Sequence, residues 1–265
     1  MRNQTGFAQP TAVALIPARS GSRRVPHKNI RRLARHPMLA YSIAAAKASG
    51  VFSAIVVSTD DEHYAEIARY YGAEVPFLRS AAIASETSPD IEWVIECLHG
   101  LANLGHSCDC FSILRPTSPF RQAQTIRRAW GAFLGEAGAD SLRAVEKCKQ
   151  HPGKMWVIRD RRMVPLLPLS PADRPWHSQQ YAALPEVYVQ NASLEIAWSR
   201  VPLEGGTIAG SVVIPFLTEG FEGVDVNDPR DWEWVERIVL EHPDALPEID
   251  VTPYSDEPQQ FQSHR

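Results

Sequence analysis

"ALIPARSGSRRVPHKNI", residues 14–30, is an apolar run that gives way to glycine, serine and a series of cations, without a single acid. Thr11–Ile16 is short, apolar and bounded by Pro17, the pattern of a buried strand. Arg19, Arg23, Arg24 and Lys28 follow in a loop that contains Gly21 between two serines. A buried strand opening into a cationic turn is what an open α/β sheet presents at the carboxyl end of a strand, where such sheets collect ligands.

The segments downstream agree with that reading. Leu39–Ala48 is rich in alanine and stops before Gly50, as a helix does. Ala54–Ser58 is a β-branched strand running into Thr59 and Asp60, read as a helix cap, and the helix ends at Gly72. In "SPDIEWVIECLHGL" (88–101), Ser88 is the expected cap and Pro89 the first helical residue. Phe111–Leu114 is another short strand and Thr125–Leu134 another amphipathic helix. Strands and helices alternating at this spacing predict an α/β fold of parallel βαβ units with helices on both faces. Arg19–Lys28, Ser58–Asp60 and Arg115–Arg121 all fall at strand ends on one edge, which makes that edge the candidate site.

From His151 the βαβ rhythm stops and proline and aromatic residues accumulate. Residues 151–210 are expected to form a small inserted lobe with hairpin strands at Met155–Arg159 and Ser193–Trp198. Its aromatics, Trp156, Trp176 and Trp198 among them, suit lobe core or a subunit contact. The nucleotide-binding core is then 11–150, with a return at 211–242 through a strand at Ser211–Ile214 and a last helix. That helix is capped by Asp228 and has Pro229 in its first position. Residues 1–10 and 243–265 carry too little apolar content to fold alone and are expected to be flexible.

With 265 residues the chain is long enough for one sizeable domain or a core with a lobe. Net charge is −4, which counts against a nucleic-acid binder and makes seven Arg or Lys between Arg19 and Arg35 a local feature. Arg31, Arg32 and Arg35 read as a solvated face, whereas Arg19 and Lys28 follow a buried strand and read as ligand-binding. The four cysteines have no metal-ligand spacing and are expected to be reduced. The polar N-terminus has no signal-peptide or membrane-span pattern, so a cytoplasmic protein without membrane association is expected.

The loop is neither G-x-x-x-x-G-K-[ST] nor G-x-G-x-x-G. It meets the need of a polyphosphate differently: Ser20, Gly21 and Ser22 allow the backbone to turn N–H groups toward an anion, and Arg19, Arg23 and Lys28 supply charge. For Asp60 and Asp228 the expected work is capping. Asp225 lies just before the last cap, is not needed for it, and reads as functional. Asn191 suits either a turn's own backbone or a ligand. His27 and His151 have no partner pattern and are not proposed as catalysts.

"IPARSGSRRVPHKN" resembles the N-terminal signature of the acylneuraminate cytidylyltransferases. "VSTDDEHYAEIARYYGAEVPFLR", "SETSPD", "LRPTSPFR", "QHPGKMW", "LPEVYVQNASLEI" and "GVDVNDPRDWEWVE" follow in the order and spacing of that family, over roughly residues 12–240. The resemblance implies a three-layer Rossmann-like nucleotidyltransferase core with a mostly parallel sheet and a small dimerisation lobe, hence a homodimer. It implies CTP and Mg²⁺, and attack by the anomeric hydroxyl of an acidic keto-sugar on the α-phosphate. By position, Arg19, Ser22, Arg23, Lys28 and Asn29 would hold the nucleotide's phosphate end, and Arg79, Thr87 and Ser88 its cytosine and ribose. Arg115 would border the sugar pocket, Gln180 and Asn191 would approach the sugar from the lobe side, and Asp225 would bind the metal. Lys28, Arg19 and Asp225 would carry the chemistry, with Asp225 or water on the metal as base. Two positions depart from the family pattern: Arg23 stands where lysine is usual, and Asn227 stands for the second aspartate of D-x-D. Rival readings are a nucleotidyltransferase of the same core using 3-deoxy-manno-octulosonate or a sugar phosphate, a non-catalytic nucleotide binder, and a nucleic-acid module that the overall acidity opposes.

Overall fold

The computed structural model describes residues 9–85, 87–167 and 174–255. In chain order the elements are β1 (Ala12–Pro17), β2 (Arg32–Leu33), β3 (His36–Pro37), α1 (Met38–Ser49), β4 (Ala54–Ser58), α2 (Glu62–Tyr70) and α3 (Asp90–Asn103). There follow β5 (Cys110–Ile113), α4 (Ala123–Gly135), β6 (Ser141–Lys147), β7 (Trp156–Arg159), β8 (Arg162–Pro165), β9 (Tyr188–Trp198), α5 (Arg200–Gly205), β10 (Val213–Leu217) and α6 (Pro229–Glu241). Six strands form one sheet in the order β10-β6-β9-β5-β1-β4. β1 lies parallel to both β4 and β5, and β9 runs antiparallel to β5. Among the described residues no helix is long and apolar enough to cross a membrane.

Strand alternation builds the three layers. Ala12, Ala14 and Ile16 of β1 face a core shared with α1, α2 and α4, including Leu39, Ile43, Tyr64 and Phe133. Val13 and Leu15 point to the other face, where Trp93, Val94 and Leu98 of α3 cover them. Both faces are dry, which is why β1 reads as an unbroken apolar run. Leu15 and Ile16 are fully buried, and each such side chain stabilises the fold by about 1.5–3 kcal/mol. Gly50 ends α1 at φ 66°, a left-handed turn that other residues adopt at a cost.

A third cluster brings the two ends of the chain's core together. Trp232, Val235 and Ile238 of α6 pack with Val25, Leu33, Met38 and Val226. Asp228 caps α6 as expected, accepting the amides of Arg230 and Asp231. This packing sets the segment around residue 226 against the far end of the cationic loop.

Several expectations are corrected. α2 is capped by Asp61, whose carboxylate accepts the Tyr64 amide, and Asp60 has another partner. α3 begins at Asp90 with no side-chain cap, and the Ser88 hydroxyl bonds Ser85 instead, at 2.7 Å. The strand expected at Ser211–Ile214 is Val213–Leu217. Ser193–Trp198 is part of β9 rather than of a hairpin: Leu194 and Ile196 are drawn into the main core, and the Trp198 indole donates to the Ala139 carbonyl at 3.0 Å.

The chain divides into one unit of residues 1–144 and 191–265 and a second of 145–190, so the observed division is narrower than 151–210 on its C-terminal side. The second unit contains the β7–β8 hairpin, which turns at Asp160 with φ 56°. Its own interior ties Lys154 to the His177 carbonyl at 2.8 Å and His151 Nδ1 to the Gly153 amide at 2.9 Å.

The segment 243–255 was expected to be flexible and is instead held on the core. Ile249 and Tyr254 pack against it, Arg32 donates to the Tyr254 carbonyl at 2.7 Å, and the Tyr254 amide donates to the Tyr71 hydroxyl at 3.0 Å. Two well-placed apolar anchors and paired backbone groups suffice where mean composition suggested none. Residues 1–8 and 256–265, parts of the two termini expected to be flexible, lie outside the described residues. All four cysteines are free thiols.

Candidate active site

The loop after β1 is shaped by its own polar groups and by neighbouring strand ends. The Ala18 amide donates to the Ser58 carbonyl at 2.9 Å, continuing the β1–β4 ladder. Asn29 is buried, and its side-chain amide donates to the Arg19 carbonyl at 3.0 Å, closing the loop across its base. Arg19 folds back to donate to the Gly21 carbonyl at 3.0 Å. A β-carbon on Gly21 would lie 3.3 Å from that guanidinium, the flexible end of the Arg19 side chain. The Ser20 amide is taken by Asp60 and the Ser22 amide by the Ser20 carbonyl. The backbone amides of Ser20 and Ser22 are therefore already paired, and the loop's cations line the depressions beside it.

Two depressions meet at this loop. A cleft of about 220 Å³ is lined on the loop side by Arg19, Ser22, Lys28 and Asn29. Its opposite wall comes from Arg79, Ile83, Ser85, Ser88 and Trp93, with Arg115 and Thr117 at the end of β5. A groove of about 420 Å³ runs from the same Arg19, Ser22 and Lys28 to Arg23, Arg24 and Asn227. One side is thus mixed polar and aromatic and the other mainly cationic, with Lys28 lining both. Its Nζ donates to the Val226 carbonyl at 2.5 Å. Burial pulls the Lys28 pKa below its ordinary value, and the Asp225 carboxylate opposes that pull.

Arg79 is buried and fixed. Its guanidinium donates to the Ser58 hydroxyl and carbonyl, each at 3.0 Å, and lies 5.1 Å from the Trp93 ring centroid. Arg115 lines the cleft but is neutralised by Asp90 at 2.6 Å and by buried Glu195 at 2.8 Å. Glu195 also pairs with Arg143. Burial would raise the Asp90 pKa, but hydrogen bonding and charge from Arg115 outweigh it and hold the carboxyl below its ordinary range. This box of two arginines and two carboxylates makes the Arg115 end of the cleft electrically balanced, unlike the loop end.

The structure therefore gathers Arg19, Ser22, Lys28, Asn29, Arg79, Ser88 and Arg115 around one cleft, and Arg23 and Asn227 around its cationic extension. Thr87 is exposed beside Ser85. Asp225 lines neither depression. Its Oδ2 accepts the Asn227 side-chain amide at 2.6 Å, while Oδ1 is buried with no partner among the described residues. Asn191 is not brought to the cleft: it donates to Thr218 at 2.9 Å and accepts the Ser193 amide, serving β9 itself. Gln180 belongs to the second unit, where it precedes a short helical turn at Tyr181–Ala183.

Asp90 and Trp93 were not anticipated as lining. Their i, i+3 spacing at the start of α3 was legible and does put both on one helix face, where the indole donates to the carboxylate at 2.8 Å. What no local signal revealed is that this face meets Arg115.

Residues 13–129 match the cytidylyltransferase family. The chain is 33% identical over 235 residues to the CMP-N,N'-diacetyllegionaminic acid synthase of Legionella pneumophila, covering 88% of this chain and 98% of that protein. It is 29% identical to the enzyme of the same name from Campylobacter jejuni, covering 84% and 93% of the two chains. Among solved structures, a CMP:2-keto-3-deoxy-manno-octonic acid synthetase complexed with CTP shares the fold at TM-score 0.64 and 15% identity, over 87% of this chain and 99% of that one. A cationic loop closing a Rossmann-like α/β sheet, with full-length relatives at this identity, leaves one assignment: the chain belongs to the acylneuraminate cytidylyltransferase family of nucleotidyltransferases.

Proposed function

We propose that this protein transfers the cytidylyl group of CTP to the anomeric hydroxyl of a sialic-acid-like nonulosonic acid, releasing pyrophosphate. The observation that carries the reading is the meeting of the two depressions at Arg19, Ser22 and Lys28. The first suits a nucleoside, with Ser85, Ser88 and the Arg79–Trp93 stack opposite the loop. The second suits a polyphosphate, since Arg23 and Arg24 add charge and no acid among the described residues lines it. In the reaction the sugar oxygen bonds to the α-phosphorus as the bond to the bridging oxygen breaks, and the pyrophosphate leaves along the cationic groove. The chain's part is positioning and charge neutralisation. Lys28, at the junction, stabilises charge at the phosphate under attack, while Arg19 and Arg23 restrain the leaving group.

The family implies Mg²⁺, and the residues fit a shared cation rather than a protein cage. Among the described residues no three His, Cys, Asp or Glu side chains gather as a metal site. The buried, unpartnered Asp225 Oδ1 and the Asn227 side-chain oxygen are the oxygens that would hold it, with phosphate and water completing the shell. When bound, the ion would neutralise phosphate charge. Replacing Asn227 with aspartate adds a second charged ligand, so the Mg²⁺ concentration for half-maximal turnover should fall several-fold. An unchanged metal titration would put residue 227 outside the coordination sphere.

Gln180 is retained as a sugar-side residue on the family pattern alone, and Asn191 is set aside. The second unit supports a homodimer: Ile158 and Met163, cross-strand partners on one face of its hairpin, are 73% and 55% exposed, an apolar patch that a second copy would cover. Reduced thiols and a nucleoside triphosphate co-substrate suit the cytoplasm. Protein recovered from the cytosolic fraction should sediment as a dimer that Ile158→Glu converts to monomer; a monomeric parent protein overturns that assignment.

The reaction itself is tested by pyrophosphate release across CTP, UTP, GTP and ATP, with nine-carbon acids and the eight-carbon 3-deoxy-manno-octulosonate. CTP with a nine-carbon acid should give the highest kcat/KM. Preference for the eight-carbon acid moves the protein to the rival reading, and nucleotide binding without turnover ends the enzymatic one.

A further inference from the structure

The corner joining β4 to α2 carries groups that neither capping nor the reaction accounts for. Asp61 caps α2, which leaves the Asp60 carboxylate for other work. It turns to the cationic loop: Oδ1 accepts the Ser20 amide at 2.8 Å and Oδ2 accepts the Ser20 hydroxyl at 3.0 Å. One turn further, Tyr64 is 2% exposed and its hydroxyl lies 3.2 Å from His27 Nδ1. Ser58, at the end of β4, receives the Ala18 amide. One corner therefore holds the loop at its start, at Ser20, and at its end, beside Lys28.

The loop needs such a hold. Residues 19–28 contain four cations and no acid, and like charges at close range drive a flexible segment apart. His27 adopts φ 52°, a left-handed conformation uncommon outside glycine. The Tyr64 hydroxyl is the side-chain partner placed to hold that ring, and the backbone it fixes leads directly into Lys28.

We infer that Asp60 and Tyr64 are positioning residues that preorganise the loop from both ends without touching the nucleotide. The inference rests on reading this loop as the phosphate site; the brace itself is a matter of contacts among the protein's own groups. Its effect is to order the loop during folding, so that the nucleotide does not have to order it on binding.

Asp60→Ala, Asp60→Asn and Tyr64→Phe in the full chain test it with three readouts. Arg23 and Arg24 are exposed, so trypsin cleavage there in nucleotide-free protein, followed by the mass of the N-terminal fragment, reports loop order directly. Asp60→Ala should speed that cleavage and raise KM for CTP by about tenfold, with a smaller change in kcat and little change in Tm. Asp60→Asn, whose carbonyl oxygen still accepts the Ser20 amide, should recover most of the loss, and Tyr64→Phe should move both readouts the same way by less. If Asp60→Ala does not fold, Ser20→Ala removes the hydroxyl contact alone and is read by the same cleavage. Unchanged cleavage, or cleavage that only follows a general fall in Tm, overturns the brace. If the parent protein turns over no CTP while the cleavage pattern holds, the brace stands and the functional reading falls.

Discussion

Replacing Lys28 with alanine lowers CTP-dependent pyrophosphate release by about 100- to 1000-fold, the scale seen when a preorganised charge is removed from a developing anion. Lys28 is the cation common to both depressions. It is partly withdrawn from water, where a unit charge acts more strongly than at the surface. Its hydrogen bond to the Val226 carbonyl fixes the ammonium, so little reorganisation is needed at the moment of reaction. The same burial makes Lys28 a poor contributor to stability. The alanine variant should therefore melt within about 3 °C of the parent, near the shift expected for 1 kcal/mol in a chain of this size. Lys28→Arg keeps the charge but not the compact head, and should recover only part of the rate. Turnover of Lys28→Ala within twofold of the parent protein would remove this lysine from the mechanism.

The second large effect is on folding. Arg121 is 1% exposed, and its guanidinium joins three separate segments. It donates to the Ser193 carbonyl in β9, to the Ser42 hydroxyl in α1 at 2.7 Å, and to the Arg115 carbonyl at 3.4 Å from each terminal nitrogen. Arg121→Ala opens a cavity and takes the guanidinium donors from the Ser193 carbonyl and the Ser42 hydroxyl in a place water does not reach, while the Arg115 carbonyl keeps the Ser118 amide and the Ser42 hydroxyl as donors. Together these should destabilise the protein by about 3–5 kcal/mol, read from urea unfolding. Arg121→Met fills much of the volume without the donors and should fall between the two. A loss below about 1 kcal/mol for the alanine variant would show that the Ser193 carbonyl finds another partner. Because Arg115 carries both the tethered carbonyl and the side chain on the cleft, loosening Arg121 should also disturb the balanced charge box.

Much of the core was legible because the relevant signals are local. The apolar run of β1, the caps at Asp228 and Gly50, and the alternation of strands with helices depend on residues within a turn of one another. Misreadings at Asp60 and Ser88 have one origin: a polar residue before a helix is an available cap, but a better-placed partner can take it. Asp61 lies one residue closer to α2 and Asp60 has Ser20 across the sheet edge. The tail through residue 255 was misread because mean composition does not register two anchors, Ile249 and Tyr254, that meet a waiting surface.

By itself the sequence determined the strand–helix order, the cationic loop after β1 and the family signature, all of which are written in neighbouring residues. Only the tertiary structure decided what that loop is held by and which charges remain for a ligand. Asp60 meets Ser20 across 40 residues, Arg115 meets Asp90 across 25 and Glu195 across 80, and Lys28 meets Val226 across 198. The physical reason is that periodicity fixes which face of an element is apolar, whereas the partner of a polar group depends on which other element packing brings within about 3 Å.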